Sequence, residues 1–139
     1  MTEQTIAQNN RPAVCRQKAE QRLTAEVEQL LLASDDGHSR WTGSKADLYE
    51  AIYVAWDTHL IRDEATGSPM LLKQMMVRVC RLMSVPVPAN PYSMARRAAR
   101  RKGVKAASYM ERYTHMLEHG NDSPLRRCVR RADHSESKH

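Results

Sequence analysis

The sequence has no phenylalanine, only five glycines and three cysteines, and no apolar run approaching the ~20 residues that cross a bilayer. Each absence excludes a class of protein. Without a long apolar run there is no membrane span. Cys15, Cys80 and Cys128 are odd in number and far apart, with no CxxC or Cys/His spacing, so neither a disulfide framework nor a zinc site is expected. The opening MTEQTIAQNNRP lacks a charged stretch followed by an apolar one, so it does not read as a signal peptide. Reduced thiols and no export signal place the expected protein in the cytoplasm.

Acidic residues are also scarce where basic ones are dense. Residues 1–89 carry ten Lys and Arg against eleven Asp and Glu, whereas residues 90–139 carry twelve against five. The whole basic excess therefore lies in the last third, which suits a polyanion-binding surface, although a solvated face has the same composition. The 139 residues fit one domain. The expected organisation is a disordered N-terminus over 1–10, a helical domain over 11–120 and a basic, mostly disordered tail over 121–139.

Apolar spacing predicts a mainly α fold of about five helices. Asn10 and Pro12 can start the first, with Leu23, Val27, Leu30 and Leu31 as its stripe to about Ala33, before a loop over 34–40. Ser44, with Asp47 three residues on, predicts a capped helix over 45–60. Ser68-Pro69 predicts the start of a third, to 83, with Leu71, Leu72, Met75, Met76, Val79, Cys80 and Met83 facing inward. The prolines of VPVPANP, 85–91, interrupt the chain, and Asn90-Pro91 restarts it. A helix over 91–102 follows, ended by Gly103, and the fifth runs over 105–118 to His119-Gly120. Any β-wing is very short, with 61–68 and 84–90 as its places.

The helix over 91–102 divides into two faces. Met94, Ala95, Ala98 and Ala99 fall on one stripe, and Arg96, Arg97, Arg100 and Arg101 on another. Small side chains let a helix sit close to its neighbours, while arginine forks suit phosphate or guanine. With helix 68–83 and a stiff turn before it, the order outlines a helix-turn-helix with a winged-helix-like character. The expected DNA contacts are Arg96, Arg97, Arg100, Arg101, Lys102 and Lys105. Arg126, Arg127, Arg130 and Arg131 of the tail read either as accessory phosphate contacts or as a solvated end.

Nothing in the sequence argues for an enzyme, a cofactor or a small-molecule substrate. His115 and His119 share a helical face but imply no third metal ligand. Gly43-Ser44-Lys45 lacks the strand and upstream glycine of a phosphate loop, so a helix cap is the better reading. Trp41, Tyr49, Tyr53 and Trp56 read as packing or rimming the core.

The segment Arg40-Trp41-Thr42-Gly43-Ser44-Lys45-Ala46-Asp47-Leu48, followed by Glu50-Ala51-Ile52-Tyr53-Val54-Ala55, resembles the RteC family of regulators carried by conjugative transposons of Bacteroides-type bacteria. A second match is Arg101-Lys102, then Lys105, then Tyr109-Met110-Glu111. The resemblance implies a helical, winged-helix-like DNA-binding region that regulates mobile-element transfer. Only forty residues precede Trp41, so a larger N-terminal domain of that family is not expected here. The expected partner is double-stranded DNA, with a homodimer through the first helix left open. The rival function is a protein-interaction module, an anti-regulator or assembly partner, that offers the Met-rich face of 70–83 as a groove and its arginines to an acidic partner.

Overall fold

Helix α2, Lys45–Asp57, is the element on which the other helices pack, and eight of its side chains are buried. The computed structural model describes residues 15–32, 39–99 and 108–131. Around α2 lie α1 (Arg16–Leu32), α3 (Leu72–Leu82), α4 (Pro91–Ala99) and α5 (Tyr109–Glu118). A two-stranded antiparallel ribbon joins β1 (Ser39–Trp41) to β2 (Val129–Arg131), beyond a 3-10 turn over Arg126–Cys128. The fold is thus mainly α, with five helices among the described residues and one very short ribbon. None of the described helices is long and apolar enough to cross a membrane.

Local chemistry explains the boundaries. Ser44 Oγ accepts from the Asp47 amide 3.1 Å away and starts α2, as the cap signal predicts. The Asp47 carboxylate also holds the Arg112 guanidinium of α5 at 2.6 and 3.1 Å. Helix α3 begins later than Ser68-Pro69 suggests. Residues 61–70 form a hairpin-like loop instead, with Met70 N donating to Ile61 O at 2.9 Å and Arg62 bridging Pro69. Within this loop the Ala65 amide, above all, holds the Asp63 carboxyl below its usual range, aided by Gln74.

Helix α3 ends before the prolines, in a Schellman turn: Val85 N donates to Cys80 O and Ser84 N to Arg81 O. Ser84 occupies the positive-φ position there (φ 59°), where glycine is usual, and its hydroxyl reaches Ser39 O of β1 at 3.1 Å. Helix α5 starts at Tyr109 rather than 105, because Ser108 and Glu111 close a full capping box. Glu50 of α2 accepts the next two free amides, from Tyr109 and Met110, both at 2.9 Å.

Several sequence expectations change. Leu71 is 69% exposed, outside the inward stripe of α3, whereas Leu72, Met75, Met76, Val79, Cys80 and Met83 are all buried. The ribbon lies in neither expected place: 84–90 contains no strand, and 61–69 contributes a single bridge. Within the expected tail, residues 121–131 are folded. Leu125 is buried, and its amide and that of Arg126 donate to the buried Glu26 of α1. Glu26 also accepts the Tyr113 hydroxyl at 2.6 Å. The expected disorder of 1–10, the helix start at Asn10 and Pro12, residues 34–38 of the first loop, Gly103 and residues 132–139 lie outside the described residues.

Burial in this core has a consequence in alkali. It pushes the Cys80 thiol from 9.0 up to about 12, and it raises the Tyr113 and Tyr109 hydroxyls above their usual 10.0, Tyr113 aided by its bond to Glu26. Groups with raised pKa keep their protons in the folded chain and lose them sooner when unfolded. Their stabilising contribution is therefore full below about pH 9 and is lost as pH climbs through the folded values, by up to about 1.4 kcal/mol per pH unit for each group. Thermal melts should give a Tm that is level from pH 7 to about 8.5 and falls steeply above 9. A Tm unchanged to pH 11 would refute this.

Candidate nucleic-acid interface

Helix α4 carries the surface. Asn90 Oδ1 accepts from Ser93 N at 3.4 Å at its start, and Pro91 occupies the first helical position, where no N–H is needed. Ala95 and Ala98 are 0% and 6% exposed and set the helix against α2 and α3. Such small side chains allow close approach, so the long side chains on the same helix are left outside. Arg96 and Arg97 are exposed, and neither forms an ion pair with a described residue. The Arg96 guanidinium lies 5.8 Å from the Tyr92 ring centroid. Tyr92 in turn packs edge-on to Tyr53 and Trp56, so the arginine stands on an aromatic platform.

Met94, expected on the buried stripe, is 40% exposed. It borders an open groove of about 950 Å³ between α2 and α4, with Lys45, Tyr49, Tyr92, Arg96 and Arg97 around it. The turn before α2, which leads into Lys45 at the groove, is tightly packed. Trp41 Nε1 donates to Ser44 O at 2.7 Å, and a Cβ at Gly43 would stand 3.1 Å from that indole nitrogen. Tyr49 reaches across to Pro86 O at 2.9 Å and ties α2 to the connection that leads into α4.

Of the residues nominated from sequence, Arg96 and Arg97 are thus placed together on the exposed side of α4. Arg100, Arg101, Lys102 and Lys105 lie outside the described residues. Arg126, Arg127 and Arg130 are exposed on the folded end of the chain, and the backbone of Arg131 pairs with Ser39. Sequence reasoning missed Tyr92, Lys45 and Arg40. Tyr92 carried a signal, since it lies four residues before Arg96 on one helical face. Arg40 carried none, because its neighbour in space is ninety residues away in the chain.

The Met-rich face of α3 is closed. Met75, Met76 and Met83 are 1%, 0% and 2% exposed, so the groove that the interaction-module reading needs is filled by the core. His115 and His119 stack with ring centroids 4.2 Å apart, yet no group of three or more His, Cys, Asp or Glu among the described residues is placed to hold a metal. The two segments that carry the RteC resemblance meet in space: Glu50 and Asp47 of the first hold Tyr109, Met110 and Arg112 at the second. No family model, curated protein or solved structure matches the chain.

Proposed function

We propose that the chain is a cytoplasmic DNA-binding transcriptional regulator associated with a mobile element, and that α4 meets the duplex. The observation that carries this reading is the composition of α4's two sides: alanines seat it on α2 and α3, and Arg96 and Arg97 stand exposed without carboxylate partners among the described residues. In a helix-turn-helix the second helix enters the major groove with its long donors outward while the first crosses behind it, and α3 followed by α4 has that order. The basic excess of residues 90–139 supplies the sequence-independent attraction to phosphate. The resemblance to RteC regulators supports the assignment to control of transposon excision or transfer.

The test is a fluorescence-anisotropy titration of the full chain with duplex DNA at two salt concentrations. Binding that weakens linearly in log affinity against log salt is expected. Absence of binding at low salt sinks the reading. Selection of bound sequences from random duplexes would then define the site.

A further inference from the structure

The ribbon carries a feature that its own stability does not explain. In its register Arg40 lies directly opposite Arg130, with Trp41 opposite Val129. Side chains alternate along a strand, so Trp41, 6% exposed, turns toward the core and Arg40 turns outward with Arg130. Directly opposed residues hold their Cβ atoms about 4.5–5.5 Å apart, and like charges there are destabilising. Both arginines are exposed, and neither has an ion-pair partner among the described residues. Three-residue strands do not hold such a pair by themselves. Here they are pinned: Trp41 N donates to Met83 O, Thr42 N and Oγ1 to Cys128 O, and Ser84 Oγ to Ser39 O. The fold therefore roots two exposed arginines opposite each other, a juxtaposition of like charge that an anion between their guanidinium groups relieves.

The position of the pair indicates which anion. β1 is bonded to Met83 and Ser84, at the head of the connection into α4. It also runs directly into Lys45 at the mouth of the α4 groove. Five residues span at most about 17 Å, so Arg40 and the groove lie within one duplex footprint. Exposed Arg126 and Arg127 stand in the turn just before β2.

We propose that Arg40 and Arg130 form a phosphate clamp that grips the DNA backbone beside the groove entered by α4. The proposal rests on the DNA-binding reading and adds a second, sequence-independent contact to it. The clamp is assembled from two strands ninety residues apart in the chain, so it exists only in the folded protein.

The experiment uses the full chain, a duplex DNA and the variants Arg40→Glu, Arg130→Ala and the double Arg40→Gln/Arg130→Gln. Arg40→Glu replaces the like-charged pair with an opposite-charged one, so its Tm should equal or exceed that of the parent. Its affinity should nevertheless fall at least tenfold near 0.1 M salt, and the double Gln variant should reduce the salt slope by about 1.8. If the double variant folds and keeps the parent slope while an Arg96→Ala/Arg97→Ala variant loses it, the clamp is overturned and the role of α4 stands. If the parent does not bind duplex at low salt, both fall. If unlabelled hairpin RNA competes better than unlabelled duplex, the assignment to duplex DNA is overturned.

Discussion

Replacing Arg96 and Arg97 together by alanine is expected to make the salt dependence of duplex binding shallower by about 1.8 log units per log unit of salt. Each phosphate contact contributes a slope of about −0.9, because it releases condensed counterions from the duplex. The same relation makes each contact worth roughly tenfold in affinity near 0.1 M salt, so the double variant should bind on the order of 50–100 times more weakly. The structure supports reading such a loss as a loss of contact. Both side chains are exposed and without carboxylate partners among the described residues, and Ala95 and Ala98 do the packing. The circular dichroism spectrum should therefore match the parent's, and Tm should fall by no more than about 5 °C, from loss of the Arg96–Tyr92 contact. The single variants separate two roles. An arginine that holds only phosphate should weaken binding to every duplex alike, whereas one that reads guanine should cost about 1–3 kcal/mol at one base pair and relax preference there. An unchanged slope in the double variant would remove α4 from the interface.

The second large effect is expected at Glu26, which sequence periodicity places within a helix and gives no special role. Its carboxylate is 2% exposed and accepts three hydrogen bonds: from the Tyr113 hydroxyl at 2.6 Å, from Leu125 N at 3.2 Å and from Arg126 N at 3.1 Å. Glu26→Ala strands all three donors. A single unsatisfied buried donor costs about 1–3 kcal/mol, so stranding three together costs on the order of 3–5 kcal/mol. The donors come from two separate segments, and no other carboxylate among the described residues is bonded to them. Against a typical domain stability of about 5–15 kcal/mol, that is a large fraction. The Tm should fall by roughly 10–20 °C.

Tyr113→Phe removes only one of the three bonds and should cost about 1–3 kcal/mol. Hydrogen exchange should show the Leu125 and Arg126 amides opening first in Glu26→Ala, with residues 129–131 following because they have lost their anchor. A Tm within 2 °C of the parent would show that Glu26 is not the anchor. The effect also reaches function. If the ribbon is released, Arg130 no longer stands opposite Arg40, so DNA affinity should fall even though removing a carboxylate near a polyanion would by itself raise it.

Much of the fold was legible in the chain, and the reasons are local. Leu23, Val27 and Leu31, and then Leu72, Met75, Met76, Val79 and Cys80, repeat at helical spacing because each helix has one buried side, and all eight are buried. The Ser44 cap and the Gly120 stop were also readable, since a cap is a bond between residues three or four apart. The Ser108-x-x-Glu111 capping box was present in the sequence as well, although helical spacing alone put the start of α5 at 105.

What failed was non-local. Ser68-Pro69 has the composition of a helix start, but Ser68 O accepts from Asp63 N and Pro69 bridges Arg62, which periodicity cannot foresee. The basic run RRCVRR reads as a solvated tail because nothing near it in sequence is apolar enough to hold it. It is held by a carboxylate about a hundred residues away and by a three-residue strand at 39–41.

The arginines of 91–99 can thus be assigned to one face from sequence alone, because a helix turns through a fixed angle per residue whatever surrounds it. The sequence by itself determined the five-helix order, the alanine seat of α4 and the sign of its exposed surface. Only the tertiary structure decided that the Met-rich face of α3 is closed, that Tyr92 packs on Tyr53 and Trp56, and that Arg40 faces Arg130 across a ribbon. The physical reason is range: helix periodicity and capping act within four residues, whereas a ladder bond or a buried carboxylate joins whatever the folded chain brings together.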